Sequence, residues 1–210
     1  VLVNDIEYSS DGRTIHRRRP DQLIKTHRDQ QLPVTPLDGV FEGHLTLIRI
    51  RIDPTVGLSP SSTQDYSNVK AIFCHISWKY HQENPTQYPM FKDLEASSFL
   101  CPGTTITVDL WDTARKAEAF DASKHTFAAT EPKHGFGSAP PSLVIFHQSR
   151  CGSTVVSNAL SQLPNSRVYS EPTAPLHALQ ACEQHNTCDA NSQQSLLRDV
   201  FYMMGRSTTP

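Results

Sequence analysis

The 210-residue chain has little glycine and no long apolar run. It contains 9 Gly against 15 Pro, and its longest apolar stretch is about five residues. A membrane-spanning helix needs roughly 20 such residues, so the sequence predicts no membrane span. The five Cys residues are an odd number, and a complete disulfide framework is therefore not implied.

Neither sign of charge is in excess. The chain has 19 basic and 21 acidic residues, which gives a net charge of -2, and this balance does not favour nucleic acid or an anionic membrane as a partner. A basic cluster at 17–19 is a possible nucleic-acid or targeting signal, but a solvated loop is the favoured interpretation. Any recognition of anions must come from a local site.

The first two thirds of the chain predict a small β-rich domain. Three stretches alternate apolar and polar side chains, as strands with one buried face do: 48–52, 71–78 and 104–110. Short helices are predicted at 91–99 and from Asp112 to Phe120. We therefore predict a polar segment at 1–38 and a small antiparallel α+β domain of unknown role at 39–129.

The composition changes after a linker predicted at 130–141, which is rich in Gly, Pro and polar residues. The elements predicted beyond it alternate between strand and helix: 143–146, 155–163, 167–170 and 191 or 192 to 204. The first of these, a continuous apolar run, is typical of a buried parallel strand. Residues 142–210 thus predict an α/β fold, the start of a three-layer domain with a parallel sheet.

The loop at 147–154, between the first of these strands and its helix, has the features of an anion site. The N-terminus of a helix leaves backbone N–H groups unpaired and carries a partial positive charge. Gly152 lets the backbone pass close to a phosphate, Ser153 and Thr154 add hydroxyl donors, and Arg150 adds a permanent cation. The loop lacks the Lys and the earlier Gly of a Walker A motif, and it lacks the Gly-x-Ser-x-Gly frame of a nucleophile elbow.

With its neighbour, this loop resembles a known family. Phe146–Thr154 reads FHQSRCGST and Val168–Pro172 reads VYSEP, a pair that is similar to the start of the P-loop sulfotransferases. In that family a Lys/Arg-x-Gly-Ser/Thr-Ser/Thr loop holds the 5′-phosphosulfate of 3′-phosphoadenosine 5′-phosphosulfate (PAPS), and many carbohydrate-type members carry Ser-Glu-Pro after the second strand. The resemblance covers residues 142 to about 206. It implies a P-loop α/β fold, PAPS as cofactor, and a carbohydrate or small-molecule acceptor.

The resemblance also implies a role for each matching residue. Arg150 would neutralise charge on the bridging oxygen as the sulfuryl group leaves, and Glu171 would be the base that deprotonates the acceptor hydroxyl. The residues that would hold the 5′-phosphosulfate belong to the loop and the first turn of the following helix: Arg150, Cys151, Gly152, Ser153 and Thr154.

Transfer of a sulfuryl group fits the pair Arg150 and Glu171 on physical grounds. Transfer of a sulfuryl group, like that of a phosphoryl group, depends on positioning and charge stabilisation, and a positioned carboxylate base contributes roughly 10²–10⁴-fold. Because parallel strands end at the same edge of a sheet, we expect Glu171 and the Arg150 loop to share one crevice. The plain alternatives are a helix cap or surface carboxylate for Glu171 and a surface salt bridge for Arg150.

Two other functions stay open. A P-loop kinase or nucleotide hydrolase would need Mg²⁺ and usually a loop Lys, and a third reading is a non-catalytic glycan- or protein-binding module. The residues that bind the 3′-phosphate in the resembled family lie well beyond the loop, and here Arg198 and Arg206 are only guesses for them. We therefore expect the sequence to hold an incomplete sulfotransferase domain.

The spacing of Cys182, His185 and Cys188 allows three interpretations. With His177 nearby these residues could bind zinc, which usually takes four ligands in structural sites. They could instead include a Cys182–Cys188 disulfide, or free thiols. A disulfide would place the chain in a secretory or Golgi lumen, and its absence would favour the cytoplasm.

Overall fold

The computed structural model describes these residues: 6–8, 15–17, 36–53, 58, 64–98, 101, 105–127, 137–148, 151–164, 166–184 and 189–207. The chain divides into two compact units, residues 1–34 and 35–210. In the first unit, strands β1 (Ile6–Tyr8) and β2 (Ile15–Arg17) pair antiparallel. Of the basic cluster, Arg17 ends β2, while Arg18 and Arg19 lie outside the described residues.

The second unit holds a mixed set of helices and strands. Its described helices are α1 (Pro36–Phe41), α2 (Trp78–Glu83), α3 (Phe91–Ser97), α4 (Leu110–Phe127), α5 (Ser153–Ser161), α6 (Thr173–Gln184) and α7 (Ala190–Met204). Its described strands are β3 (Thr46–Ile52), β4 (Val69–Cys74), β5 (Ile106–Asp109), β6 (Gly137–Ser138) and β7 (Arg206–Ser207). None of the described helices is both long and apolar enough to cross a membrane.

The main sheet is antiparallel and has the order β3-β4-β5, in agreement with the prediction for 39–129. A register shift between Leu47 and Arg49 interrupts the pairing of β3 with β4. As a result Ile48 packs on the opposite face of the sheet from Leu47 and Ile50. The alternation at 48–52 had predicted Ile48 and Ile50 on one face, which is wrong because a bulge reverses the side-chain direction.

The larger core lies between one face of this sheet and helices α4, α6 and α7. Small side chains let these helices approach closely, and five alanines of α4 and α6 are almost fully buried in the core: Ala114, Ala117, Ala174, Ala178 and Ala181. They pack with larger side chains of the sheet such as Ile50 and Phe73. Residues from both sides of the segment 130–141 therefore share one hydrophobic core.

A second cluster covers the opposite face of the sheet. It contains Ile48 and Ile72 from the strands, Phe91 and Leu94 from α3, and the disulfide partners Cys74 and Cys101. The two Cys Cα atoms are 5.0 Å apart across 27 positions of sequence. Sequence reasoning treated Cys74 only as a strand residue, because no local pattern pairs it with Cys101.

Two buried ion clusters tie α7 and its C-terminal end to the rest of the unit. The guanidinium of Arg206, 1% exposed, donates two hydrogen bonds of 2.9 Å to Asp121 of α4, and its Nε donates to the Val40 carbonyl at 3.2 Å. Asp199 is fully buried and accepts from Tyr66 at 2.9 Å and from Arg115. Both carboxylates are thus paired and hydrogen-bonded, as buried charges must be.

The parallel sheet predicted for 142–210 is not present in the described part of the chain, where every strand pairing is antiparallel. Residues 143–148 and 166–169 form no strand, and the apolar side chains from Leu143 to Phe146 are 47–87% exposed. An apolar run becomes a parallel strand only where neighbouring strands bond to it, and no described strand pairs with residues 143–146.

The helices of residues 142–210 agree with the sequence-based predictions more closely than the strands do. Helix α5 covers most of the stretch predicted at 155–163, and α7 ends at the predicted Met204. The N-cap of α7 is Asp189 rather than Asn191 or Ser192, because its Oδ1 accepts from both of their backbone N–H groups at 2.8 and 2.9 Å.

Candidate functional site

The predicted anion loop enters helix α5 through a glycine in a left-handed conformation. Cys151 and Gly152 form a bend, Gly152 is the N-cap with φ of +85°, and the helix begins at Ser153. A Cβ at position 152 would meet no atom within 4 Å, so the backbone angle rather than crowding is what requires glycine. Arg150 lies outside the described residues.

The first turn of α5 carries no side-chain cap. Helices usually satisfy their first N–H groups with a Ser, Thr, Asp or Asn side chain, and Gly152 has none to offer. Ser153 and Thr154 lie in this turn and are half-buried, while Cys151 is a free and exposed thiol. The described part of the loop therefore combines an open approach, an uncapped helix end and two hydroxyl groups.

Glu171, the predicted base, is the second residue of the site with an unusual backbone. Its φ is +53°, and it precedes Pro172 and the start of α6 at Thr173. A left-handed angle costs a residue with a side chain about 1–2 kcal/mol, and such angles concentrate where a function requires them. The carboxylate is 53% exposed, so it can meet a ligand from solvent.

The chain leading to Glu171 is anchored by Tyr169. The ring of Tyr169 lies 4.8 Å from that of Trp78 and 5.0 Å from that of Phe91, and its hydroxyl donates to the Met204 carbonyl at 2.7 Å. Burial raises the pKa of this tyrosine well above its ordinary value, so the phenol stays protonated and keeps donating. The position of Glu171 is thereby fixed from its N-terminal side.

Three further contacts fix Glu171 through its immediate neighbours and α6. The Ser170 carbonyl accepts from the backbone N–H of Phe91 at 2.9 Å. The Thr173 hydroxyl donates to the Ile48 carbonyl, and the His177 ring lies 3.3 Å from the Ile50 carbonyl. Helix α6 therefore covers the edge of β3, which a sheet would otherwise leave open for pairing, and the same contacts hold the start of α6.

His147 brings the segment before the loop next to Glu171. Its Nε2 lies 3.8 Å from Glu171 Oε1, and the His147 side chain is 27% exposed. We expected Glu171 to share a crevice with the loop, and among the described residues this contact is what brings the two segments together. From the sequence, a histidine at the edge of the core was the favoured interpretation of His147 and approach to the anion the alternative, and no local pattern pairs it with Glu171.

The two arginines considered for the 3′-phosphate have other partners. Arg206 is buried in its bidentate pair with Asp121, so that guess is wrong: the guanidinium is not accessible to a ligand. Arg198 pairs with Asp199 at 3.0 Å and is 52% exposed.

A different arginine lies close to Glu171 along the chain. Arg167 is half-buried, lies 5.5 Å above the Trp78 ring and donates to the Arg206 carbonyl at 2.7 Å. Burial lowers the pKa of its guanidinium. Sequence reasoning missed it, because nothing in the local sequence separates it from a surface cation.

The cysteine and histidine cluster near 182 is only partly described. Cys182 is disulfide-bonded, which removes its thiolate as a zinc ligand, whereas His185 and Cys188 lie outside the described residues. The part of the chain that the structure describes contains no group of three or more His, Cys, Asp or Glu residues able to hold a metal ion.

Comparison of the chain with protein-family models, with curated proteins and with solved structures finds no match. The class of protein must therefore be argued from the chemistry of the site alone.

Proposed function

We propose that the chain is a PAPS-dependent sulfotransferase that moves a sulfuryl group to a hydroxyl of a carbohydrate or small molecule. The observation that carries the proposal is the 3.8 Å approach of His147 to Glu171. It brings the segment that leads into the loop alongside a half-exposed carboxylate. The proposal also rests on the uncapped helix end behind Gly152.

The residues of the loop fit the charged end of PAPS. The backbone N–H groups at Cys151, Gly152 and Ser153, with the hydroxyls of Ser153 and Thr154, would hold the 5′-phosphate, because helix N-termini favour anions. The open space above Gly152 leaves room for that phosphate. When bound, PAPS supplies the sulfuryl group, whose bond to the 5′-phosphate breaks as its bond to the acceptor oxygen forms.

The chain's own residues perform the remaining tasks. Glu171 takes the proton of the acceptor hydroxyl at its carboxylate, and the contacts of Tyr169 and Thr173 keep that carboxylate in place. His147, with its Nε2 3.8 Å from Glu171 Oε1, helps to orient that carboxylate. Arg150 would add the cation that balances charge on the departing nucleotide.

Two broader features belong to the same proposal. The exposed apolar side chains at 143–146 are those that a neighbouring parallel strand would cover in a P-loop sheet. The Cys74–Cys101 disulfide and the bonded Cys182 favour an oxidising compartment such as a secretory lumen, since cytosolic thiols are kept reduced.

The direct test is transfer of labelled sulfate from PAPS by the full-length protein. Glu171→Gln should lower the rate by roughly 10²–10⁴-fold, while calorimetry shows an unchanged affinity for the product nucleotide PAP (3′-phosphoadenosine 5′-phosphate). Arg150→Ala should lower both the transfer rate and the affinity for PAP. The matched control is Glu183→Gln, which makes the same change at an exposed position of α6 and should leave the rate unchanged.

The outcome also separates the other functions. ATP binding that requires Mg²⁺, without binding of PAP, would favour a kinase or nucleotide hydrolase. Absence of heat with either nucleotide would favour a non-catalytic binding module. Full activity in both the Glu171 and the Arg150 variants would show that the roles are wrongly assigned.

A further inference from the structure

The sheet carries two neighbouring hollows, the larger of them on the face opposite the large core. One part, of about 490 Å³, has a floor that includes Ile48 and Ile72 and extends to α3. A second part, of about 370 Å³, continues past Asn68 and Lys70. Arg51 lines both parts, so the two hollows adjoin at this side chain. We call the combined hollow the sheet groove.

The sheet groove is positively charged although the chain as a whole carries a net charge of -2. Four cations and two carboxylates line it: Arg49, Arg51, Lys70, Lys92, Glu95 and Asp53. Arg49 pairs with Glu95, and Lys70 pairs with Asp109 at 3.4 Å. Within the described residues neither Arg51 nor Lys92, both exposed, forms an ion pair. These two cations are therefore available to an anionic ligand.

Two contacts connect the sheet groove to the segment that carries Glu171. Ser170, next to Glu171, accepts a hydrogen bond from Phe91, the residue before Lys92. On the other side, Thr173 donates to the carbonyl of Ile48 in the groove floor. The floor of the groove and the residue preceding Lys92 in its wall are thus hydrogen-bonded to residues that flank the proposed base.

We propose that the sheet groove binds the acceptor of the transfer reaction, and that this acceptor is an acidic oligosaccharide whose carboxylate or sulfate groups pair with Arg51 and Lys92. This inference rests on the proposed function and specifies its substrate class.

The lining chemistry favours a sugar over an acidic peptide. Thr105, Thr107 and Asn68 offer hydroxyl and amide groups, which match the hydroxyl groups of a sugar. Peptides that bind to sheets commonly pair with an exposed strand edge, whereas here the groups offered to a ligand are side chains of the sheet, of its flanking residues and of α3.

The test measures binding of three probes by calorimetry: hexagalacturonate, uncharged maltohexaose and hexaglutamate. The full-length protein should bind hexagalacturonate most tightly, and the double variant Arg51→Glu/Lys92→Glu should weaken that binding by about tenfold or more, since each exposed cation contributes at close range. Matched controls are Lys79→Glu and Lys116→Glu, which reverse exposed charges outside the groove and should change the dissociation constant less than about twofold.

Wild-type affinity of the double variant for hexagalacturonate would overturn the proposal, and so would equal binding of maltohexaose. Tighter binding of hexaglutamate would assign the groove to an acidic peptide instead. PAP affinity is measured on the same variants. If PAP binding is retained and the double variant still binds hexagalacturonate with wild-type affinity, only the groove proposal is overturned. If PAP does not bind but the double variant loses affinity for hexagalacturonate, the sulfotransferase proposal is overturned and the groove remains an acidic-sugar site.

Discussion

The interior of the second unit and the candidate site differ sharply in how they are held. Phe73 and Leu196 of the main core are fully buried, and the ion pairs beside them join α4 to α7. Around the site, Phe146 and Val155 are 87% and 73% exposed, and the proposed base depends on a few contacts from Tyr169 and Thr173. The difference teaches that the scaffold and the site can be altered separately, so substitutions should divide into those that unfold the chain and those that affect binding alone.

The largest effect on the scaffold side is expected for Arg206→Met. Removing this guanidinium leaves Asp121 as a poorly hydrated charge and takes donors from the Val40 and Phe41 carbonyls. Breaking a buried pair in this way costs about 3–5 kcal/mol, measured as the free energy of unfolding in denaturant.

The control for this variant is Lys116→Met, which removes the exposed pair with Asp112 at 2.6 Å. An exposed helical pair contributes only about 0.3–0.5 kcal/mol. Equal losses in the two variants would contradict the difference between interior and surface pairs.

The second-largest loss of stability is expected for removal of the Cys74–Cys101 disulfide, on the opposite face of the sheet from the main core. The double variant Cys74→Ala/Cys101→Ala releases a loop of 27 positions, and we expect a loss of about 2–4 kcal/mol in unfolding free energy. Cys151→Ala, at the free and exposed thiol, should leave stability unchanged, and a comparable loss there would show that the loop is part of the scaffold.

Gly152→Ala probes the site side of the comparison. The methyl group meets no atom, so the effect comes from the backbone alone, and the left-handed angle should cost about 1 kcal/mol. If the backbone at the N-terminus of α5 changes conformation to avoid the left-handed angle, the affinity for PAP should fall as well. Gly137→Ala is the matched control, because a Cβ there also meets nothing within 4 Å and its φ is not positive. Similar effects at both positions would show that the conformation of Gly152 is unimportant.

The smallest effect concerns His81, a buried histidine of α2. Burial lowers its pKa, against a hydrogen bond with the Tyr88 backbone that raises it. The folded state therefore binds this proton less readily than the unfolded state. The stability that His81 contributes is fully present above the unfolded pKa of about 6.5 and is lost as the pH falls from there toward the lower folded pKa.

His81→Gln should remove this part of the pH dependence. The measurement is the difference between the unfolding free energies of wild type and variant from pH 7.5 to 5. A difference that stays constant over that interval would contradict the assignment.

Much of the local structure could be predicted, because its causes are local. The alternation of Ile and Arg at 48–52 and of apolar and polar residues at 104–110 led to strands β3 and β5, and helical spacing led to α5 and α7. The Gly152 bend could be expected for the same reason, since only glycine adopts its angle without cost. For the site, the sequence predicted that Glu171 and the loop share a crevice, and the structure places His147, which precedes the loop, 3.8 Å from Glu171.

The structural features that could not be predicted depend on contacts between residues that are distant in sequence. The apolar run at 143–146 resembled a parallel strand, yet strand formation needs a partner that the run itself cannot specify. The anchoring of Glu171 depends on contacts of its neighbours with Trp78, Phe91 and Ile48, which are distant in sequence. The sheet groove likewise combines residues of three strands and α3.

The sequence by itself determined strands β3 and β5, helices α5 and α7 and the glycine bend, because propensity and periodicity act over a few residues. Only the tertiary structure decided that Cys74 bonds to Cys101, that α6 and α7 share a core with the sheet, and that Arg206 is buried rather than exposed. Those outcomes follow from close packing and the pairing of buried charges, which depend on all the neighbours in space at once.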